Sequence, residues 1–172
     1  MHKKVNTKKF FCIGFLVCAG AAFQACAANS ASVTFSMSVP TPTCSVSVES
    51  TQDLRELGKG EQKHPDIPIT ITCSGVVKNA LTAEPVERKR LQSDNKTLFV
   101  PIGGSESSKD GPFLTLNDSN GLAIKLTGKK NDAFCSSTGE GQTCYVTPVT
   151  NVKKNSPVGE GSVAIRFSVV YP

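Results

Sequence analysis

Apolar and polar residues alternate at several places along the chain, and the phase of that alternation changes from one place to the next. Val33, Phe35, Met37 and Val39 alternate with Thr34, Ser36 and Ser38, the period-2 pattern of a strand with one buried face. Pro40 and Pro42 break that ladder, and the next apolar set, Cys44, Val46 and Val48, falls on even numbers. A one-residue change of phase sends every side chain to the other face, so the two segments need not serve one sheet face. Val33–Val39 therefore reads as a strand suited to a groove on another molecule.

Further along, Ile67, Ile69, Ile71 and Cys73 share one parity, with Pro68 on the other. Lacking an N–H, Pro68 predicts a strand start or an edge there. The polar stretch 49–66 reads as an irregular connection with room for a brief strand. The charged stretch 81–90 is expected to be a helical turn or an exposed loop, with Arg88, Lys89 and Arg90 on a solvated face. Residues 97–100 read as a strand, 103–111 as a loop, and 113–116, 117–121 and 122–126 as strand, turn and strand. The acidic turn lacks the length and terminal Glu of a calcium hand, which favours a plain hairpin. At the end, Val163, Ile165, Phe167, Val169 and Tyr171 alternate up to Pro172. With no Trp and little 3.6-residue periodicity, the fold class expected is all-β.

Composition changes this picture mainly at the start of the chain. Lys3, Lys4, Lys8 and Lys9 precede a short apolar run, 10–19, and small residues ending Ala25-Cys26-Ala27. A basic start, a short apolar centre and a small-residue end predict a secretory signal peptide over 1–27. The apolar run is shorter than the ~20 residues a membrane span needs, and Phe23-Gln24-Ala25 is a poor context for a lipid-modified Cys26. Removing four lysines and no acid takes the formal charge from +5 to +1. The basic balance thus belongs to the signal, and no nucleic-acid partner is expected.

The same cut leaves four of the seven cysteines, Cys44, Cys73, Cys135 and Cys144. Four cysteines in an exported chain suggest two disulfides, with three possible pairings. Cys44 and Cys73 share the parity of their strands' apolar residues, so a bridge between neighbouring strands is geometrically natural. Cys135 and Cys144 enclose residues 136–143, with Gly139 and Gly141 to turn the chain, and their proximity makes them partners. A zinc site is disfavoured by the spacing and by the distance in sequence to His64. An enzyme is not expected. His64 lies beside Pro65 with no nucleophile motif, and Glu84, Glu87, Asp94, Asp110 and Asp132 fall without pattern.

Taken together, the signal peptide, the alternating segment ahead of Cys44, Cys73 after an Ile-rich strand, the hairpin 117–126 and the final strand with Tyr171 as penultimate residue resemble the pilin subunits of Gram-negative chaperone–usher fimbriae. The resemblance covers the whole mature chain. It implies an incomplete immunoglobulin-like β-sandwich over 43–172 lacking its last strand, preceded by an N-terminal extension, 28–42, that carries a donor strand. By that resemblance Val33, Phe35, Met37 and Val39 are the donor residues. Val163, Ile165, Phe167, Val169 and Tyr171 line the groove, and a periplasmic chaperone grips the terminal carboxylate of Pro172. The implied partners are that chaperone, the outer-membrane usher, neighbouring pilins and, through the fibre tip, a host receptor. No cofactor or metal is implied, and the implied location is a surface fimbria that supports adhesion. The sequence departs from the family at Met37, where main subunits usually carry glycine, and in the Cys135–Cys144 bridge. Main and minor subunit are both left open, and a single-domain tip adhesin that binds a host glycan or protein is the alternative.

Overall fold

The computed structural model describes residues 33–104 and 109–172. The expected signal peptide and residues 28–32 of the extension lie outside the described residues, as does part of the 103–111 loop. The chain divides into two compact units, Met1–Ser38 and Val39–Pro172. In the first, residues 33–38 carry no regular secondary structure and are exposed.

The second unit is built from seven strands, β1 (Cys44–Ser47), β2 (Gly60–Lys63), β3 (Ile67–Pro85), β4 (Leu98–Phe99), β5 (Phe113–Asn117), β6 (Phe134–Val152) and β7 (Ile165–Val170). They form one antiparallel sheet in the order β1-β3-β6-β5-β4, with β2 paired to β6 and β7 to β3. The sheet curls over a core that draws Ile69, Ile71 and Leu81 from β3, Leu98 from β4, Leu114 and Leu116 from β5, and Cys144 and Val146 from β6. The expected all-β class is the one found.

The early part of β3 follows its sequence pattern. Ile69 and Ile71 are buried while Pro68, Thr70 and Thr72 are exposed. Pro68 sits at the strand start, outside the register of β1, which spans Thr70 to Cys73. Beyond the middle of β3 the pattern fails for a physical reason. Asn79, Ala80, Leu81, Thr82 and Ala83 are all buried, so both faces are covered and no alternation survives. The stretch 81–90 is therefore a strand as far as Pro85, followed by a single 3-10 turn, Arg88–Arg90, and not a turn or loop throughout. Arg90 is not on a solvated face; it is 7% exposed, paired with Glu87 and placed over the Phe99 ring.

The hairpin after β5 is present only in part. Asp118 accepts hydrogen bonds on Oδ1 from the backbone N–H of Asn120 and Leu122, which closes the turn. The return arm, 122–126, pairs with β5 at a single bridge, Asn117 with Ala123, and the Leu126 N–H turns instead to the Asn95 carbonyl. Ile124 and Leu126 still reach the core.

Both disulfides join the partners expected from sequence, Cys44 with Cys73 and Cys135 with Cys144. The second bridge does not close a simple loop. Both its cysteines lie in β6, and a straight strand would hold residues nine apart at about 30 Å. Their Cα atoms are 6.0 Å apart. The β3–β6 ribbon is therefore folded over sharply, at the register shift between Thr72 and Val77 of β3. Gly141 makes the fold possible, because a Cβ there would stand 2.6 Å from the Ile71 carbonyl oxygen.

Candidate functional site

The bend leaves β3 in two halves, each with one neighbour besides β6. β1 pairs with the first half, Cys44 opposite Cys73 through Ser47 opposite Thr70. β7 pairs with the second half, Ala80 opposite Val170 through Pro85 opposite Ile165. Among the described residues neither β1 nor β7 pairs with a further strand. Both therefore present a row of backbone groups outside the ladder.

The side chains of these two strands show the same incompleteness. Cys44 and Val46 of β1, and Val163, Ile165, Phe167 and Val169 on and just before β7, pack against the core but stay only half-buried. On the central strands the equivalent residues are closed off: Ile69, Ile71 and Val146 are at most 1% exposed. The outward residues Ser45, Ser47, Arg166 and Ser168 are exposed, as an alternating strand requires. The two edge strands meet at one end, where the Cys44 N–H donates to Tyr171 Oη at 2.8 Å. Among the described residues, then, β1 and β7 bound an apolar face that stays half-covered.

The sequence-predicted residues fall on this face unevenly. Ile165, Phe167 and Val169 occupy the inward positions of β7. Val163 lies before the strand and Tyr171 after it, with Tyr171 42% exposed and its hydroxyl turned to β1. Pro172 is exposed at the end. Val33, Phe35, Met37 and Val39 are exposed by 72% to 90%. Alternation places Cys44 and Val46 on one face of a strand, but their place beside β7 rests on pairing that no local pattern encodes.

His64 and the acids Glu84, Glu87, Asp94 and Asp132 are engaged elsewhere, in structural contacts. His64 Nε2 lies 2.8 Å from the Thr150 hydroxyl, and its backbone N–H donates to the Pro148 carbonyl. Glu84 pairs with Arg88 and Arg166, and Glu87 with Lys89 and Arg90. Burial pushes the Asp94 carboxyl up, but the Thr97 hydroxyl and the N–H groups of Lys96 and Thr97 outweigh it and hold the group below its ordinary 3.8. Asp132 is held below 3.8 by hydrogen bonds from Lys125 and Thr127.

No protein-family model matches the chain, and no curated protein matches it. Solved structures of similar fold include the following two. One is the P pilus rod subunit PapA, at a TM-score of 0.54 and 15% identity over 75% of this chain and 99% of that one. The other is a chaperone–usher pilus described for the molecular basis of its rod uncoiling, at 0.50 and 19% identity over 84% of this chain and 97% of that one. The all-β fold of this chain is the fold of a chaperone–usher pilin.

Proposed function

We propose that the chain is a structural subunit of a surface fimbria, exported through the periplasm and polymerised by strand donation from one subunit to the next. The observation that carries this reading is the half-buried apolar face of β1 and β7, the two strands that flank β3 and, among the described residues, pair with no other strand. In the fibre, Val33, Phe35, Met37 and Val39 of one subunit enter that face on another and complete its core. Before assembly a periplasmic chaperone covers the same face with a strand of its own and holds the Pro172 carboxylate, and the outer-membrane usher exchanges one strand for the other.

The energetics explain why such a segment can be exposed in one setting and ordered in another. Burying its four apolar side chains contributes roughly 6 to 12 kcal/mol gross. Fixing the backbone of seven residues costs about 7 to 14 kcal/mol. The two nearly cancel, so the segment orders only against a face already shaped to pair its backbone as well.

Phe35→Arg tests the reading in cells. A guanidinium has no partner in an apolar groove, so the variant is expected to be absent from purified fibres. Its capture by the chaperone, which uses the β1 and β7 face and not the donor, is expected at the wild-type level. Incorporation of Phe35→Arg at wild-type frequency would refute donation by this segment.

A further inference from the structure

Two sets of side chains cross the bend in the β3–β6 ribbon. Cys144 belongs to the half that carries β1, opposite Ile69, whereas Cys135 follows Phe134, which lies opposite Leu81 in the half that carries β7. Beside this bridge, Gln142 stands opposite Ile71 in the first half and Asn79 opposite Ser137 in the second. Gln142 Nε2 donates to Asn79 Oδ1 at 2.8 Å and to the Cys135 carbonyl at 2.7 Å. Asn79 is wholly buried, and its Nδ2 donates to the Val77 carbonyl. Each amide hydrogen of Gln142 thus has an acceptor on the far half. Opening the bend would leave the buried Asn79 carbonyl without its donor, a state that folded proteins avoid.

We infer that Cys135, Cys144, Asn79 and Gln142 form a clasp across the bend that positions β1 relative to β7 and so fixes the width of the face between them. The clasp acts through β3 on the two strands paired to it. β1 is bonded to the first half of β3 and β7 to the second, so the angle between the halves sets the separation of the two edges. The inference rests on the strand-donation reading for its consequence. A face held at fixed width accepts an extended strand without first being ordered, and a loosened one binds more weakly by the fraction of time it is competent.

The test compares the full-length wild-type chain with two variants. Cys135→Ser with Cys144→Ser removes the covalent arm, and Gln142→Met removes the amide arm at nearly constant volume. Nitroxides carried on unnatural ketone side chains at Ser47 and Ser168 report the separation of β1 and β7, while a labelled peptide of residues 31–40 reports release from the face. The wild type is expected to give one narrow distance distribution. Each variant should broaden it and release the peptide about tenfold faster, with the Cys44–Cys73 bridge and cooperative unfolding retained. Distance distributions in the variants that superimpose on the wild type would overturn the clasp. If the serine variant does not fold, Gln142→Met, which keeps the disulfide, decides the matter alone. If the wild type does not bind the peptide, donation fails while the distances still judge the clasp.

Discussion

Two of the strands at the margins of the sheet, β2 and β7, differ in character, and the contrast shows how an edge strand can be covered or left half-covered. β2 is Gly60-Glu61-Gln62-Lys63, paired with β6 along one side. Three of its four residues are exposed, and the exposed Glu61 and Lys63 are both charged. Short, charged strands are how natural sheets prevent unwanted pairing. β7 is longer, and Ile165, Phe167 and Val169 face a core that they only half cover. β1, across from it, repeats the pattern with Cys44 and Val46. The polar edge exposes mainly charged side chains, whereas the apolar edge leaves its inward residues half-covered.

The most disruptive way to break the contrast is to delete residues 167–172. The truncation strips β7 from the second half of β3 and exposes Ala80, Leu81 and Ala83, which are at most 1% exposed in the intact fold. We expect no folded protein in periplasmic extracts and no complex with the chaperone, both read by co-purification. Normal yield of the truncated chain would show that β7 is dispensable. Next in size is Cys44→Ser. The Cys44–Cys73 bridge anchors β1 across a separation of 29 residues, and losing it should lower stability by about 3 to 4 kcal/mol in denaturant titrations.

A substitution at the other edge sharpens the comparison. Glu61→Val with Lys63→Val replaces the two charged, exposed side chains of β2 with apolar ones. We expect concentration-dependent association in light scattering where the parent is dispersed, with little change in fold. Smaller still is Tyr171→Phe, which removes the acceptor for the Cys44 N–H and should cost about 0.5 kcal/mol in thermal unfolding, at the low end for a half-exposed hydrogen bond.

The least effect is expected on the polar side at Asp132. Its carboxyl is held below 3.8 in the fold by Lys125 and Thr127, so its contribution is present above the unfolded value near 3.8 and is lost as the pH falls through the lower folded value. Asp132→Asn should therefore differ slightly from the parent at neutral pH and converge with it in acid. Urea titrations over a pH series would show this, and a gap that widened toward low pH would contradict the assigned sign.

How much of this was legible in the sequence depended on how many faces of each strand are covered. The start of β3 and most of β7 turn one face each toward the core, so their alternation is legible directly from Ile67 to Ile71 and from Ile165 to Val169. Residues 79–83 are buried on both faces and left no period to find. The first part of β6 is Ser, Thr, Gly, Glu and Gln across the bend, where close backbone approach at Gly141 matters more than side-chain burial. The arm 122–126 shows the reverse error, an alternating pattern without a ladder, because Asn95 takes the Leu126 N–H. The candidate site was half visible. Its residues on β7 could be named, but their partial burial, the arrival of β1 beside them and the clasp behind them follow from pairings between residues far apart in the chain.

The central claim is that the β1 and β7 face, and no other, accepts the segment 33–39. Hydrogen exchange on the chain with and without a peptide of residues 31–40 tests it most directly. The account predicts new protection at the backbone N–H groups of β1 and β7, with exchange at β2 unchanged. Protection gained at β2, or none gained at β7, would contradict it.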